Sequence, residues 1–130
     1  MSKTEDELMS ERMKEIGKKY TIKPLAAKHD AGKPQLSLVP QEAVELIAQA
    51  MSYGAIKYGR NNFKAGHQWS RCLDAALRHL YALAHGQPID PESGNTHLSH
   101  ALASLAMLAY HVKHHPELND LYTTKESTNE

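Results

Sequence analysis

The sequence has few of the features that mark secreted, membrane or nucleic-acid-binding proteins. Its 130 residues include one cysteine, Cys72, which has no second thiol for an internal disulfide. No N-terminal apolar stretch resembles a signal peptide or a membrane span. Lys and Arg total 15 and Asp and Glu total 15, so no net charge attracts nucleic acid or an anionic membrane. We therefore expect a protein of the reducing cytoplasm, with neither a nucleic-acid polymer nor a membrane as partner.

Runs of β-branched residues are also missing, and the remaining pattern is helical. Apolar residues repeat at helical spacing from Pro40 to Gly59, from Ser70 to His85 and from His97 to His114. Gly86 suits a helix end, and Asn95 or Thr96 suits the cap of the helix that follows. The sequence predicts an all-α bundle of about four helices.

The chain ends differ in composition from this central region. A charged segment from Thr4 to Lys19 has apolar residues at helical spacing, which predicts a solvated amphipathic helix or an arm. The residues after Glu117 are polar and predict a flexible tail. We therefore divide the chain into an arm (1–20), one domain (21–116) and a tail (117–130). A domain this small gains from burying its helices against another copy, so we expect a homo-oligomer.

Histidines form a polar stripe on the most apolar predicted helix. His97, His100, Ser104 and His111 share one stripe, whereas Leu98, Leu102, Leu105, Ala109 and Val112 share another. We expect this helix to be buried almost all round. A buried imidazole needs a hydrogen-bond partner, so the polar stripe is expected to face a ligand, a metal ion or another buried polar group.

The helix before it carries a second polar stripe, formed by Arg71, Asp74 and Arg78, opposite an expected core stripe. The core stripe comprises Leu73, Ala76, Leu77, Leu80, Tyr81 and Ala84. Two guanidinium groups about two turns apart can reach successive phosphates. An Asp74–Arg78 ion pair on an exposed face explains part of this stripe equally well.

Three further segments carry candidate binding groups. The loop from Asp90 to Gly94 places two carboxylates before a helix start, where Asp90 or Glu92 fits a metal ligand or a turn and cap without a ligand. Lys33, in a Gly-Pro loop, fits a phosphate cradle or an ordinary turn. Lys57 and Arg60 offer phosphate contacts or simple surface charge.

Several phrases between His29 and Tyr110 together resemble one family. They are Asp30-Ala-Gly-Lys-Pro, Leu38-Val-Pro, Tyr53-Gly-Ala-Ile-Lys-Tyr-Gly59, Trp69-Ser-Arg71, Leu77-Arg-His79 and Asp90-Pro-Glu-Ser-Gly94 followed by His97. In this order they resemble the dATP/dGTP diphosphohydrolase-like domain of phages and prophages. The resemblance implies kinship with all-α nucleoside triphosphate pyrophosphatases of the MazG type, which hold magnesium with carboxylates from neighbouring helices.

The carboxylates of this chain depart from that pattern. Glu42 and Glu45 have the Glu-x-x-Glu spacing but lie opposite the apolar face, as expected of a solvated surface. No second carboxylate pair follows, and His97 and His100 stand at the corresponding positions. If the chain is an enzyme, the resemblance implies Mg²⁺ held by Asp74, Asp90 and Glu92. In that case, we expect Asp74, Glu92 and His97 to be the catalytic residues.

Three functions remain open from the sequence. A hydrolase would convert dATP or dGTP to the monophosphate and pyrophosphate, binding the substrate through Lys33, Lys57, Arg60, Arg71, Arg78, His97 and His100. A non-catalytic sponge would sequester a cyclic nucleotide or cyclic ADP-ribose-like immune signal and would need no metal ion. An adaptor bundle would use its polar stripes only to set the register of the oligomer.

Overall fold

The structure is a computed structural model that describes residues 2–20 and 24–123. It has four α-helices: α1 (Glu5–Tyr20), α2 (Gln41–Tyr58), α3 (Trp69–Ala84) and α4 (His97–His114). Short 3₁₀ helices cover Leu36–Leu38, Asn62–Ala65 and Pro116–Leu118. The described residues contain no strand, only an isolated bridge between Ile89 and Thr96. The all-α prediction is confirmed, and each helix begins and ends within one residue of its predicted position.

The chain divides into two compact units, one up to Pro34 and one from Gln35 onward. The first unit contains α1, whose start is capped reciprocally. The Glu7 backbone N–H donates to Thr4 Oγ1 over 3.2 Å, and the Thr4 N–H donates to Glu7 Oε2 over 3.0 Å. No helix of the described residues is long and apolar enough to cross a membrane.

In the second unit, α4 packs against both α2 and α3. The buried apolar residues at its centre are small: Ala50 on α2, Cys72 and Ala76 on α3, and Ala101 and Ala103 on α4. Small side chains allow close approach of helices, which brings the polar groups of their facing surfaces within contact distance. The predicted tail after Glu117 lies partly in this unit. Asp120 Oδ1 accepts a hydrogen bond of 2.9 Å from the Ser70 N–H, while residues 124–130 lie outside the described residues.

The polar stripe of α4, rather than its leucine stripe, faces the interior. His97, Ser104 and His111 are buried, whereas Leu105 is 40% and Val112 is 52% exposed. The expectation that α4 is buried almost all round is therefore wrong, because α2 and α3 cover only its polar and small-residue side.

The predicted core stripe of α3 is also only partly correct. Ala76 is buried, but Leu77, Leu80 and Tyr81 are exposed. The inward face of α3 instead carries Cys72, Ala76 and the half-buried His79.

Candidate functional site

Three histidines and an aspartate converge where α3 meets the start of α4. We call His79, Asp90, His97 and His100 the histidine cluster. His79 Nδ1 and His97 Nδ1 are 2.8 Å apart, so one of the two imidazoles donates to the other. The rings of His79 and His100 stack with centroids 4.8 Å apart, and His100 Nε2 lies 3.5 Å from Asp90 Oδ2. Donor atoms from two helices and one loop thus share a small volume.

The loop before α4 holds Asp90 in this cluster through its own backbone. The Asp90 N–H donates to the Asn95 carbonyl over 2.8 Å, and the Gly94 N–H donates to the Asp90 carbonyl over 2.8 Å. Gly94 adopts a φ of 76°, a conformation that glycine accepts without strain. Asp90 Oδ1 accepts a bond of 3.0 Å from the Glu92 N–H, which leaves Oδ2 on the side of His100. The predicted turn is thus also what positions the carboxylate.

The first turn of α4 is fixed by its cap. Thr96 Oγ1 accepts a hydrogen bond of 3.0 Å from the Ser99 N–H, as the sequence predicts for this position. His97 and His100 follow on the same side of the helix. Ser93 Oγ lies 2.6 Å from His100 Nε2, so the loop also contacts the second imidazole.

Burial favours the neutral form of His79 within the cluster. Desolvation lowers the pKa of His79, and the neighbouring His100 and His97 lower it further, while Asp90 acts in the opposite direction. His100 and Asp90 have side chains that are only 15% and 14% exposed. A neutral His79 has a free lone pair at neutral pH, so it is able to accept a proton or bind a metal ion.

An ion pair lies beside the cluster, between α2 and the Asp90 loop. Lys57 Nζ is 2.7 Å from Glu92 Oε1, and the Tyr53 hydroxyl donates to the same oxygen over 3.4 Å. The hydrogen bond from Lys57 lowers the pKa of Glu92, and Glu92 raises the pKa of Lys57. Both side chains are exposed, so an arriving anion can exchange with Glu92 at Lys57.

The predicted arginine stripe lines a separate cavity. Arg71, Asp74 and Arg78 of α3 share a cavity of about 290 Å³ with Ser104 and Met107 of α4, and none of these residues belongs to the histidine cluster. His67 and Cys72 also line it. His67 Nδ1 is 3.1 Å from Nε2 of the fully buried His111, and His111 Nδ1 has no hydrogen-bond partner among the described residues.

The structure does not bring the three predicted metal carboxylates together. Asp90 lies in the histidine cluster, Glu92 pairs with Lys57, and Asp74 lines the arginine cavity. Among the described residues, neither Asp74 nor Glu92 belongs to a group of three or more potential metal ligands within 4.8 Å of one another. Asp74 and Glu92 therefore do not share one site with Asp90. Their roles as magnesium ligands and catalytic residues stay predictions.

The remaining predicted residues lie on the surface. Arg60 is exposed in the turn after α2, and Lys33 is exposed in the first unit, in a turn closed by a 3.1 Å bond from its N–H to the Asp30 carbonyl. Glu42 and Glu45 are exposed, as expected of a solvated face, and Gln41 Nε2 donates to Glu45 Oε1 over 2.6 Å.

Sequence reasoning missed three residues of this region as site residues: His79, Ser93 and Tyr53. His79 follows Cys72 and Ala76 at helical spacing, and this spacing was the available signal that an imidazole belongs to the inward face of α3. Ser93 was assigned to the turn alone. Tyr53 reaches Glu92 across 39 positions of sequence, and no local pattern reports such a contact.

The fold and the site thus define a class of protein: an all-helical domain with a partly buried cluster of imidazoles and a flanking lysine. Residues 24–121 match the family described as dATP/dGTP diphosphohydrolase, N-terminal. The chain belongs to this family. It is 34% identical over 93 residues, 72% of its own length, to a dATP/dGTP diphosphohydrolase of Salmonella phage PMBT28. The aligned region covers 32% of that relative's length.

No solved structure matches the chain. The relative's name is that of a hydrolase and gives no support to the sequestration alternative.

The magnesium ion implied by the MazG resemblance does not fit the groups that converge here. Magnesium prefers oxygen ligands in an octahedral arrangement, and the histidine cluster offers one carboxylate among three imidazoles.

Proposed function

We propose that the chain hydrolyses a purine deoxynucleoside triphosphate to the monophosphate and pyrophosphate at the histidine cluster. The observation that carries this proposal is the 2.8 Å contact between His79 and His97 beside Asp90 and His100. The name of the phage relative supports the choice of substrate and reaction.

In this reaction, a water molecule attacks the α-phosphorus. The bond between this phosphorus and the oxygen that bridges it to the β-phosphate breaks, and pyrophosphate leaves. His79 accepts the proton of the attacking water, because burial lowers its pKa and keeps it neutral at pH 7. His97, in contact with His79, holds the orientation of that imidazole.

Lys57 is placed to offset the charge of the phosphates. It lies on the exposed side of α2, next to the loop that carries Asp90, and its present partner Glu92 is a surface carboxylate. Exchange of Glu92 for a phosphate oxygen keeps the lysine paired. The arginine cavity is a further anion site, but its lining residues lie outside the cluster, so Arg71 and Arg78 have a secondary place in this proposal.

A second cavity supports a nucleoside ligand. Glu45, Ala48, Gln49, Ser52 and Asn95 line a surface cavity of about 450 Å³ between α2 and the loop that carries Asp90. Carboxylate and amide groups of this kind form hydrogen bonds with the polar edge of a purine base. The cavity therefore offers a place for the base while the phosphates extend toward Lys57.

The test is an assay for pyrophosphate and monophosphate release from dATP and dGTP with added Mg²⁺. His79→Asn removes the proposed base, and the kcat should fall about 10²- to 10⁴-fold. His85→Asn is the matched control, because His85 lies exposed directly after the same helix and its imidazole contacts the Tyr81 carbonyl of the last turn. It should keep the full rate.

Lys57→Ala should mainly raise KM, because it removes a phosphate contact, and the exposed Lys113→Ala of α4 should leave KM unchanged. The proposal is wrong if the wild-type chain releases no pyrophosphate, or if His79→Asn retains the wild-type rate.

A further inference from the structure

We propose that His79, Asp90 and His100 form a binding site for a divalent transition-metal ion of the zinc class, with His97 beside it. This inference deepens the proposed function and rests on it for the use of the ion, but its geometry stands on the histidine cluster alone. With the ion bound, His79 is a ligand instead of the proton acceptor, because its Nδ1 contacts His97 and its other ring nitrogen would bind the ion. It departs from the magnesium site that the family resemblance implies.

The spacing of the donor atoms suits such an ion. One potential ligand atom from each of His79, Asp90 and His100 lies within 4.8 Å of the other two. Ligand atoms about 2.0–2.1 Å from a tetrahedral ion are about 3.3 Å from one another. The 3.5 Å between His100 Nε2 and Asp90 Oδ2 already approaches this separation. Side-chain rotation of His79 within its half-buried position is the remaining adjustment.

The donor types select the metal. Imidazole nitrogen with a single carboxylate suits zinc, cobalt, nickel or iron far better than magnesium or calcium. The imidazoles bind the ion in their neutral form, so binding should weaken in acid. Three protein ligands leave a coordination position for water, which is the arrangement of catalytic rather than structural zinc sites. Water bound to such an ion ionises near neutral pH.

Ser93 Oγ lies 2.6 Å from His100 Nε2, the atom that faces Asp90, so this contact gives way when the ion binds. Two neighbouring groups support the other ligands: His97 Nδ1 contacts His79 Nδ1, and the Glu92 N–H donates to Asp90 Oδ1. Contacts of this kind orient metal ligands and tune their affinity.

The other group of potential ligands, His67, Cys72 and His111, is less suited to a cation. Burial raises the pKa of the Cys72 thiol, although Arg71 partly opposes this, so the thiolate that binds metal is disfavoured. The charge of Arg71 also lowers the pKa of His67, and it repels a cation in the same way. We therefore assign the ion to the histidine cluster.

The experiment measures metal binding directly. The full-length chain, freed of any affinity tag and stripped with a chelator, is titrated with Co²⁺ and Zn²⁺. Elemental analysis after dialysis gives the stoichiometry, Co²⁺ absorption gives the ligand type, and thermal unfolding gives the stabilisation. We expect one ion per chain, visible bands of nitrogen and oxygen ligation, and a higher unfolding midpoint with metal.

Two substitutions in the cluster test the assignment. Asp90→Asn and His100→Asn should each weaken binding about 100-fold. His85→Asn should bind like the wild type, and circular dichroism checks that each variant keeps its helices. Equal binding by His100→Asn and the wild type would overturn the inference. A near-ultraviolet thiolate band that disappears in Cys72→Ser would also overturn it, because the ion would then be bound at the other group.

Metal binding and hydrolysis can fail separately. Full hydrolysis of dATP by the stripped chain with Mg²⁺ alone, together with no Zn²⁺ bound, would reject the metal site and keep the proposed function. One Zn²⁺ bound at the cluster without hydrolysis of dATP or dGTP would do the reverse.

Discussion

Three imidazoles of this chain have surroundings that favour their neutral form. Burial lowers the pKa of His67, His79 and His111. The neighbouring positive or titratable groups add to the effect: Arg71 at His67, Arg78, His97 and His100 at His79, and His67 and His115 at His111. Asp90 alone acts in the opposite direction, at His79. These side chains therefore link the stability of the fold to pH.

The stability of the chain should fall as the pH drops below about 6.5, the ordinary pKa of histidine. Above that pH, the buried histidines are neutral in both folded and unfolded states. Below it, the unfolded chain binds protons that the folded chain resists, so acid favours unfolding. The hydrogen bond with Glu117 is the main cause that raises the pKa of His115. Protonation of His115 therefore opposes this trend in part.

Thermal unfolding between pH 7.5 and 5.0 measures the effect, with each kcal/mol lost lowering the midpoint by about 4–8 °C. His111→Gln should flatten the pH dependence, and the exposed His85→Asn should preserve it. A midpoint that stays constant across this pH range in the wild type would contradict the prediction.

At the scale of elements, the ends of the helices were predictable and their inward faces were not. Pro40, Gly86 and Thr96 act on the backbone within a turn of themselves, so their effects can be read from a single sequence. The faces depend on which helices meet. The apolar stripes of α3 and α4 suggested a leucine-rich core, but the contact between these helices is made by alanines, Cys72 and histidines.

The site was predictable to a similar degree. The α4 stripe correctly marked His97, His100 and His111 as side chains that need polar partners, and all three have one. Their partners were not predictable, because His79 and His67 reach them from other elements. The partner of Glu92 was not predictable for the same reason, because Lys57 lies 35 positions away in sequence.

The cap of α4 should support both stability and the site. Thr96→Ala removes the acceptor for the Ser99 N–H and should cost about 1 kcal/mol, while Thr96→Ser should retain most of the stability. Chemical denaturation measures both changes. Because His97 and His100 lie in the turn that this cap fixes, Thr96→Ala should also lower the rate of the proposed hydrolysis of dATP. Equal stability of Thr96→Ala and the wild type would show that another group satisfies this N–H.

For the whole molecule, the second unit exposes apolar residues that another copy of the chain could cover. Leu80 and Tyr81 of α3 are 38% and 62% exposed, and Leu105 and Val112 of α4 are exposed as well. The buried apolar residues of the described chain are by contrast alanines and a cysteine. Burying leucine and tyrosine against another copy would supply about 25 cal/mol for each Å² removed from water.

We therefore expect a homo-oligomer in solution, as the sequence predicts. Size-exclusion chromatography with light scattering should give a multiple of the 14.5 kDa chain mass. Leu80→Ser combined with Tyr81→Ser should shift the mass toward that of a single chain, because the apolar area that drives association is lost. Tyr122→Ser, at a site that is 76% exposed outside both helices, is the control and should keep the wild-type mass. A wild-type mass of one chain would contradict the expectation.

The two facing imidazoles, His79 and His97, are separated by 18 positions along the chain. The entropy lost in closing a loop grows with the logarithm of its length, so a connection this short costs little conformational entropy to close. Contacts between near neighbours in sequence also form early in folding. We therefore expect the histidine cluster to assemble together with α3 and α4 within a single chain, independently of protein concentration.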